Sequence, residues 1–354
     1  MKAEPAATEV MTAEKVASYV VTEAIWAPSV HNTQPWWFMA DGQQISLYAD
    51  ADRRLQATDP GGREMMISCG AALFNLRLAL RSLGYVPETR VLPDPRQPML
   101  VALVSWRERN PASEYERQLS GQVRRRRTHR GAFDPEPLPR GTLAALRDGA
   151  ARDGALLRVV ADEGGRAILA AAVQTAERHL RLDAQRVREL ARWSPPPGSA
   201  RSDGVPATSY PARPERTEPH FPGRDFAHGH GWGMLPLSSA PWPRATGVVG
   251  LLTTAADRQV DWVNAGQALQ RILLTASACG AAVALHSQPT ELPWLREFIR
   301  AKLSDNAYPH LVLRIGMVIQ ASISARRHPD EVLFSSTGSP ATGARRPWYL
   351  ARQR

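Results

Sequence analysis

A dense group of polar side chains lies between Pro28 and Pro35, near the start of the chain. The polar residues in this segment are Ser29, His31, Asn32, Thr33 and Gln34. Hydroxyl, imidazole and amide groups together can donate and accept several hydrogen bonds to one polar ligand. The composition leaves an alternative open, since the same residues also form Asx-rich turns that satisfy only their own backbone.

A second group of candidates is cationic. These residues are Arg126, Arg127 and Arg130 with the hydroxyl of Thr128, and then Arg326 and Arg327 after two serines near the end of the chain. Planar guanidinium groups beside a hydroxyl suit a phosphate, because they can donate paired hydrogen bonds to its oxygens. A solvated basic surface is the alternative for such a run of charges.

The elements around the polar loop must position it. Residues 14–26 place apolar side chains on one helical face, and Pro28 cannot continue a helix because its ring has no N–H group. Residues 36–39 and 45–48 predict two strands joined by a turn at residues 41–42. The loop is therefore predicted to lie between a helix and a β-hairpin.

Two helical segments of the chain repeat each other. One is predicted to begin at Gly70 and to end at Gly84, and the other to begin at Gly266 and to end at Gly280, so both pairs are offset by 196 residues (266 − 70 and 280 − 84). Each has Ala-Leu at the same places, a helical apolar face and a strand after a following proline. A long internal period of this kind indicates duplicated domains.

The bulk composition bounds the class of protein. The chain has 354 residues, 43% of them hydrophobic, and a net charge of +10. No zinc-finger spacing or RNA-binding motif accompanies the charge, so no specific nucleic-acid partner is predicted. No apolar run is long enough to span a membrane and residues 1–10 lack the apolar part of a signal peptide, so we predict a cytoplasmic protein. The two cysteines, Cys69 and Cys279, are both expected to be buried thiols.

Several common sites are not supported by the sequence. There is no Gly-x-Gly-x-x-Gly string after a strand and no Walker A string, which argues against Rossmann and P-loop nucleotide sites. His220, His228 and His230 lack the spacing of known zinc ligands, so no metal site is predicted. These histidines lie in residues 188–243, an insertion rich in Pro, Gly and Ser that is expected to be either disordered or functional, for example as a lid.

The string Pro-Ser-x-His-Asn-x-Gln-Pro-Trp at residues 28–36 resembles the flavin-contacting signature of the nitroreductase superfamily. With His31 and Thr33 it resembles the mycobacterial, dormancy-associated Acg-type branch that binds FMN. The segment 126–133, Arg-Arg-Thr-His-Arg-Gly-Ala-Phe, is similar to the superfamily segment whose arginines and hydroxyl bind the flavin phosphate. This chain has one residue more before Phe133, which leaves open whether Arg126 or Arg127 binds the phosphate.

The resemblance implies an α/β (α+β) protein with a nitroreductase-like fold. Two tandem halves, at residues 12–120 and 121–330, would form a pseudo-dimer within the chain, followed by a tail at 331–354. The first half carries the polar loop and the second carries the arginines, so together they would build one FMN site per chain.

The resemblance also implies the site and the chemistry. The residues expected to bind the cofactor are Ser29, His31, Asn32, Gln34, Arg126, Arg127, Thr128, Arg130, Ser287, Gln288, Arg326 and Arg327, and His31 is also a candidate for a catalytic role. The expected activity is ping-pong hydride transfer between NAD(P)H, FMN and a small nitro, quinone or enone compound, or a desaturation. The alternative is a flavin-sequestering or storage protein with little turnover. The expected partner is a small-molecule substrate, with no membrane partner, and the protein is expected to be a monomer or a loose homodimer.

Overall fold

The computed structural model describes residues 11–209, 215–224, 226, 244–318 and 324–336, which form two β-sheets with helices packed against them. The helices are α1 (Ala13–Ala24), α2 (Arg63–Ser82), α3 (Glu114–Ser120), α4 (Thr142–Arg152), α5 (Glu163–Leu182), α6 (Ala184–Arg192), α7 (Gln259–Ala278), α8 (Gln288–Glu291) and α9 (Pro293–Leu303). The strands are β1 (Trp36–Asp41), β2 (Gln44–Ala49), β3 (Tyr85–Val91), β4 (Leu100–Arg109), β5 (Thr128–His129), β6 (Leu156–Val159), β7 (Val248–Thr254), β8 (Ala281–His286), β9 (Tyr308–Met317) and β10 (Leu333–Ser335).

The two sheets share the order of four of their strands. The first sheet has the order β10-β1-β2-β4-β3, and the second has β5-β8-β9-β7-β6. Within each sheet four strands are antiparallel, in the equivalent orders β1-β2-β4-β3 and β6-β7-β9-β8. The fifth strand is parallel to its neighbour in both sheets, but it joins opposite edges, beside β1 in the first sheet and beside β8 in the second. This equivalence is compatible with the predicted duplication of the chain.

The helix and hairpin predicted around the polar loop are both present. α1 is capped at its start by the Thr12 side chain, which accepts a hydrogen bond from the Lys15 amide at 3.3 Å. β1 and β2 pair in antiparallel register, with Gly42 at φ +52° in the turn between them. The loop that begins after α1 is therefore anchored at both ends by regular structure.

The repeated helices α2 and α7 pack against each other at their equivalent glycines. The prediction that Gly70 and Gly266 begin these helices is wrong, because each is the eighth residue of a 20-residue helix. A Cβ atom on Gly70 would overlap the Val263 carbonyl, and one on Gly266 would overlap the Ile67 carbonyl. The glycines therefore allow two helix backbones to approach more closely than any side chain permits.

The predicted ends of these two helices are confirmed. Gly84 and Gly280 directly follow the C-cap residues of α2 and α7. Their φ values are +79° and +74°, where the lack of a Cβ avoids strain.

The cysteines differ from the prediction in one respect. Cys69 is buried in the first core, whereas Cys279 is only half-buried.

The last described residues return to the first sheet. β10 lies parallel to β1, with Leu333 opposite Phe38 and Phe334 opposite Met39. The sequence analysis placed these residues in a tail, because a strand of three residues has no recognisable period of its own. Residues 337–354 lie outside the described part of the chain.

The segment expected to form a lid is only partly described. Residues 188–192 complete α6, and residues 207–209 form a short 3₁₀ turn. Residues 193–205 pack onto the first half of the chain, with Trp193 4% exposed. Residues 210–214, 225 and 227–243, which include His228 and His230, lie outside the described residues.

Candidate functional site

A cavity with an empty volume of about 1110 Å³, partly open to solvent, lies between the two halves of the chain. Its walls come from the α1–β1 loop, the start of α2, the segment around β5, the end of β8 and residues 324 and 326. Eight of the predicted site residues line it: Ser29, His31, Asn32, Thr128, Arg130, Ser287, Gln288 and Arg326. The two halves therefore bring these side chains together although up to 297 positions (326 − 29) separate them in sequence.

The α1–β1 loop has a strained backbone. His31, Asn32 and Gln34 have φ values of +49°, +53° and +50°, a region that residues other than glycine rarely adopt. Such a conformation persists only where the surrounding contacts fix it. One of these contacts is the Ser29 hydroxyl, which accepts a hydrogen bond from the Gln34 amide at 2.9 Å.

Gln34 and Arg327 support this loop and do not line the cavity. The Gln34 side chain donates to the Ser202 carbonyl at 2.8 Å and accepts from the Arg327 amide at 2.8 Å. The Arg327 guanidinium reaches back to the Gln34 carbonyl at 3.4 Å and also bonds Glu331. The sequence pattern indicated ligand contacts for both residues, but in the structure their polar groups are used by the protein itself.

Asn32 holds the side chain of an arginine at the cavity. Its Nδ2 donates to the carbonyls of Gly204 at 3.0 Å and Ala325 at 3.2 Å. Its Oδ1 accepts from the Arg326 guanidinium at 3.2 Å. Asn32 therefore positions Arg326 while forming part of the cavity wall.

His31 presents an unsatisfied imidazole to the cavity. The residue is 6% exposed, and neither ring nitrogen has a hydrogen-bond partner among the described residues. Its ring packs edge-on against Phe226, with centroids 5.1 Å apart. Burial, together with the charges of Arg224 and Arg130, lowers the pKa of His31 well below its usual value. The ring is therefore neutral at pH 7 and can both donate to and accept from a ligand.

Arginines gather at one end of the cavity. The Arg126 side chain is buried, and the pKa of its guanidinium is lowered to about 9 by burial and by the charges of Arg127 and Arg130. Burial and the same group of arginines lower the pKa of Arg326 well below its usual value. Within the described residues, neither Arg126 nor Arg326 has a carboxylate within 4.0 Å, and the Nε atom of each lacks a partner. Uncompensated buried cations are costly, so this end of the cavity favours an anion.

Arg126 and Arg127 lie behind this end of the cavity and do not line it. Arg126 donates to the Thr128 hydroxyl at 3.3 Å and to the Trp26 carbonyl at 3.1 Å. Arg127 donates to the carbonyls of Arg124 and Arg126 and lies over the Trp26 ring. Arg130 and Arg326 are the guanidinium groups from the two predicted segments that line the cavity wall.

The cavity wall also carries a second polar group, which the sequence analysis missed. Arg224 forms an ion pair with Glu291, and the Ser287 hydroxyl donates to the same carboxylate at 2.7 Å. Glu64, in the first turn of α2, is 5% exposed, and neither of its carboxylate oxygens has a hydrogen-bond partner. Burial and the neighbouring Glu291 raise the pKa of Glu64 well above its usual value.

Arg314 and His286 complete the wall from adjacent strands, β9 and β8. Arg314 Nε donates to His286 Nε2 at 3.0 Å, and burial lowers the pKa of this arginine to about 10. Burial beside Arg314 lowers the pKa of His286 well below its usual value. An arginine within the apolar run of β9 was a visible signal in the sequence, but nothing in its spacing connected it to the loop.

The described ranges contain no group of three or more His, Cys, Asp or Glu side chains arranged to hold a metal ion. None of their helices is long and apolar enough to cross a membrane.

Comparisons with known proteins agree on one family. The model of the Nitroreductase family matches residues 123–317. The chain is 36% identical over 299 residues to the Mycobacterium tuberculosis protein named "Putative NAD(P)H nitroreductase Rv3131", covering 84% of this chain and 83% of that protein. It is 29% identical over 328 residues to "Putative NAD(P)H nitroreductase acg" of the same organism, covering 92% and 97%. A Desulfitobacterium hafniense nitroreductase with bound FMN aligns in structure with a TM-score of 0.39 and 12% identity, over 61% of this chain and 96% of that protein.

Proposed function

The chain belongs to the nitroreductase family, and we propose that it holds one FMN in the cavity between its two halves and transfers hydride between NAD(P)H and a small organic acceptor. The observation that carries this proposal is the group of arginines at one end of the cavity. Nitroreductases use FMN, whose phosphate is a dianion that matches such a group.

The charge distribution supports one orientation of the cofactor. Arg130 and Arg326 line the cavity where guanidinium groups accumulate, so this end would take the phosphate, with Thr128 adding a hydroxyl. Arg126 is buried behind them and adds to the positive potential. The flavin ring would then extend along the α1–β1 loop towards the end that holds Glu64 and Ser287.

The polar loop would contact the cofactor through side chains that the protein leaves unsatisfied. Both nitrogens of the His31 ring are buried without partners, and a bound polar ligand would relieve that cost. The positive φ values of the loop orient this ring, and the hydrogen bonds of Gln34 hold the backbone in place. We propose that His31 binds the ring or the ribityl chain as a neutral donor and acceptor.

One cofactor per chain follows from the difference between the halves. The first half has residues 25–35 between α1 and β1, whereas the second half has only residues 153–155 between the corresponding elements α4 and β6. The position related by the repeat therefore lacks a polar loop. We propose an intrachain pseudo-dimer with halves near residues 12–120 and 121–330 and a single complete site.

The redox chemistry is that of the cofactor. When bound, FMN supplies a ring that accepts and returns a hydride. The protein holds the phosphate with Arg130 and Arg326, orients the ring with the α1–β1 loop, and excludes water with apolar wall residues such as Ile67 and Leu269. The acceptor is proposed to be a nitro, quinone or enone compound, in a ping-pong cycle with NAD(P)H.

A second candidate function is flavin sequestration, and one observation favours it. The segment at residues 202–205 lies over the α1–β1 loop, with the Gly204 amide donating to the Asn32 carbonyl at 3.3 Å. Asp203 pairs with Arg53 at 2.9 Å and fastens the segment to the first half. A cover of this kind would restrict the access of a nicotinamide to the bound ring.

Spectroscopy of the purified protein tests both functions. We expect a flavin absorption spectrum with about one FMN per chain and bleaching on anaerobic addition of NADPH or NADH. Bleaching by dithionite alone would favour sequestration over turnover. A colourless protein that does not bind added FMN would refute both, and two FMN per chain would refute the single-site argument.

A further inference from the structure

Glu64 is a buried acid in the cavity wall, and the charged groups around it differ from those around Arg326. It is 5% exposed, and neither carboxylate oxygen has a hydrogen-bond partner. Its only ion pair in the described part of the chain is with the adjacent Arg63, at 3.5 Å, and Arg63 donates its hydrogen bond to the Thr290 carbonyl instead. A carboxylate in this position lacks the donors that would stabilise its charge.

The charged and titratable groups around Glu64 come from four elements. Asp59 precedes α2, Arg224 lies on the loop at residues 215–224, Glu291 lies on α8, and His310 lines the cavity from β9. Glu291 already pairs with Arg224, so that cation is shared with a second carboxylate. Burial, and then the charge of Glu291, favours the protonated form of Glu64 by raising its pKa well above the usual value.

The backbone amides at the start of α2 do not stabilise the Glu64 carboxylate. The Met65 amide instead donates its hydrogen bond to the Asp59 carboxylate, at 2.9 Å. Glu64 faces the cavity, and its raised pKa favours the carboxylic acid form, whose O–H group can donate to a ligand there.

We propose that Glu64 is the proton donor of the oxidative half-reaction, and that the acceptor is a planar apolar compound whose reduction takes up a proton, a quinone. This inference depends on the proposed function, because the proposed oxidoreductase reaction supplies the hydride. Apolar side chains line the same cavity, from Ile67 one turn along α2 from Glu64 and from Leu269 and Leu311 of α7 and β9. They suit a flat, uncharged ring better than a charged substrate.

Reduction of a quinone needs one hydride and one proton. The hydride brings both electrons and becomes the hydrogen of one new O–H bond, and the negative charge collects on the other quinone oxygen. The O–H bond of Glu64 breaks, its proton forms the second O–H bond of the hydroquinone, and the glutamate is left as a carboxylate. Glu64 then takes a proton from solvent at the open side of the cavity before the next cycle. An acid placed in this way contributes about 10²- to 10⁴-fold to such a step.

The protonation state of Glu64 can be read without turnover. Infrared spectra at pH 7 should contain the carbonyl band of a protonated carboxyl group in the wild-type protein, and that band should be missing from Glu64→Gln. Glu23→Gln is the matched control, because Glu23 is also buried but its carboxylate is ion-paired with Arg124 outside the cavity. The band should be unchanged in that variant.

The second measurement compares two electron acceptors on the FMN-loaded protein. A quinone needs a proton and ferricyanide does not, so Glu64→Gln should slow quinone reduction by roughly 10²-fold or more while ferricyanide reduction stays within about twofold. Glu64→Asp keeps the carboxyl group on a shorter side chain, so its rate of quinone reduction should lie between those of the wild type and Glu64→Gln. The FMN content and circular dichroism of each variant check that the fold is retained.

The outcomes separate this inference from the proposed function. No loss of the carboxyl band in Glu64→Gln, or an equal fall with quinone and ferricyanide, would overturn the role of Glu64 while FMN binding and NADPH bleaching still supported the function. A wild-type protein that binds FMN but passes no electrons to either acceptor, or that binds none, would overturn the proposed oxidoreductase and this step with it.

Discussion

Replacing Arg326 with glutamine removes one cation from the end of the cavity that we assign to the FMN phosphate. Arg326 lines the cavity, is held by Asn32, and has no carboxylate within 4.0 Å among the described residues. A phosphate would supply the counter-charge that its guanidinium lacks. The substitution should therefore weaken the binding of FMN specifically through its phosphate.

The expected magnitude follows from the type of contact. A hydrogen bond to a charged group contributes about 1.5–3 kcal/mol, and about 1.4 kcal/mol corresponds to a tenfold change in Kd. The Kd for FMN should rise by roughly 10- to 150-fold in Arg326→Gln. Arg126 and Arg130 remain, so binding should be weakened and not abolished.

Titration of the flavin-free protein with FMN and with riboflavin, followed by flavin fluorescence, checks this reasoning. Riboflavin lacks the phosphate, so its Kd should be the same in Arg326→Gln and the wild type. Arg124→Gln is the matched control, since Arg124 lies in the other arginine segment, beside Arg126, but pairs with Glu23 and does not line the cavity. The phosphate assignment is wrong if FMN binding changes by less than about threefold, or if riboflavin binding falls as much as FMN binding.

Three further predictions concern the stability of the fold and the dissociation of FMN. Gly70→Ala should lower the free energy of unfolding in urea by about 3 kcal/mol because its Cβ would overlap the backbone of α7, whereas Gly61→Ala, with nothing within 4 Å, should change it by less than about 0.5 kcal/mol. Burial lowers the pKa of His310 to about 3, below the value near 6.5 in the unfolded chain, so its contribution to stability is complete above about pH 6.5 and is lost as the pH falls. When the pH is lowered from 7 to 5, the free energy of unfolding in urea titrations should therefore fall by about 2 kcal/mol more for the wild type than for His310→Gln. Equal falls in the two proteins would contradict this assignment. Asp203→Asn should speed FMN dissociation in stopped-flow dilution about fivefold, because it breaks the ion pair that fastens the cover, and an unchanged rate would argue against a covering role.

Local features of the fold could be predicted because their signals are local. The helix before Pro28, the hairpin around Gly42 and the closing glycines of α2 and α7 depend on periodicity and on backbone freedom within a few residues. Gly70 and Gly266 occupy equivalent positions in α2 and α7, but the prediction that they begin these helices is wrong. Their role depends on the approach of a second helix, which no single segment of sequence reveals.

The candidate site was only partly predictable for the same reason. The polar loop and the arginine segments have distinctive sequences, and six of their predicted residues line one cavity, together with Ser287 and Gln288. Gln34 and Arg327 lie in the same distinctive sequence segments, but in the structure their hydrogen bonds hold the α1–β1 loop in place. Glu64, in contrast, looks like an ordinary polar residue at the start of a helix.

The sequence by itself determined which residues could bind a phosphate and a polar ring, and it predicted two similar halves. The tertiary structure decided which of these residues meet, because proximity and burial arise from packing between distant segments. It brings Arg326 to Arg130 across 196 positions (326 − 130), and it buries Glu64 without a hydrogen-bond partner in the wall of the same cavity. The cost of an uncompensated charge depends on that burial, so the chemistry of both groups is a property of the fold.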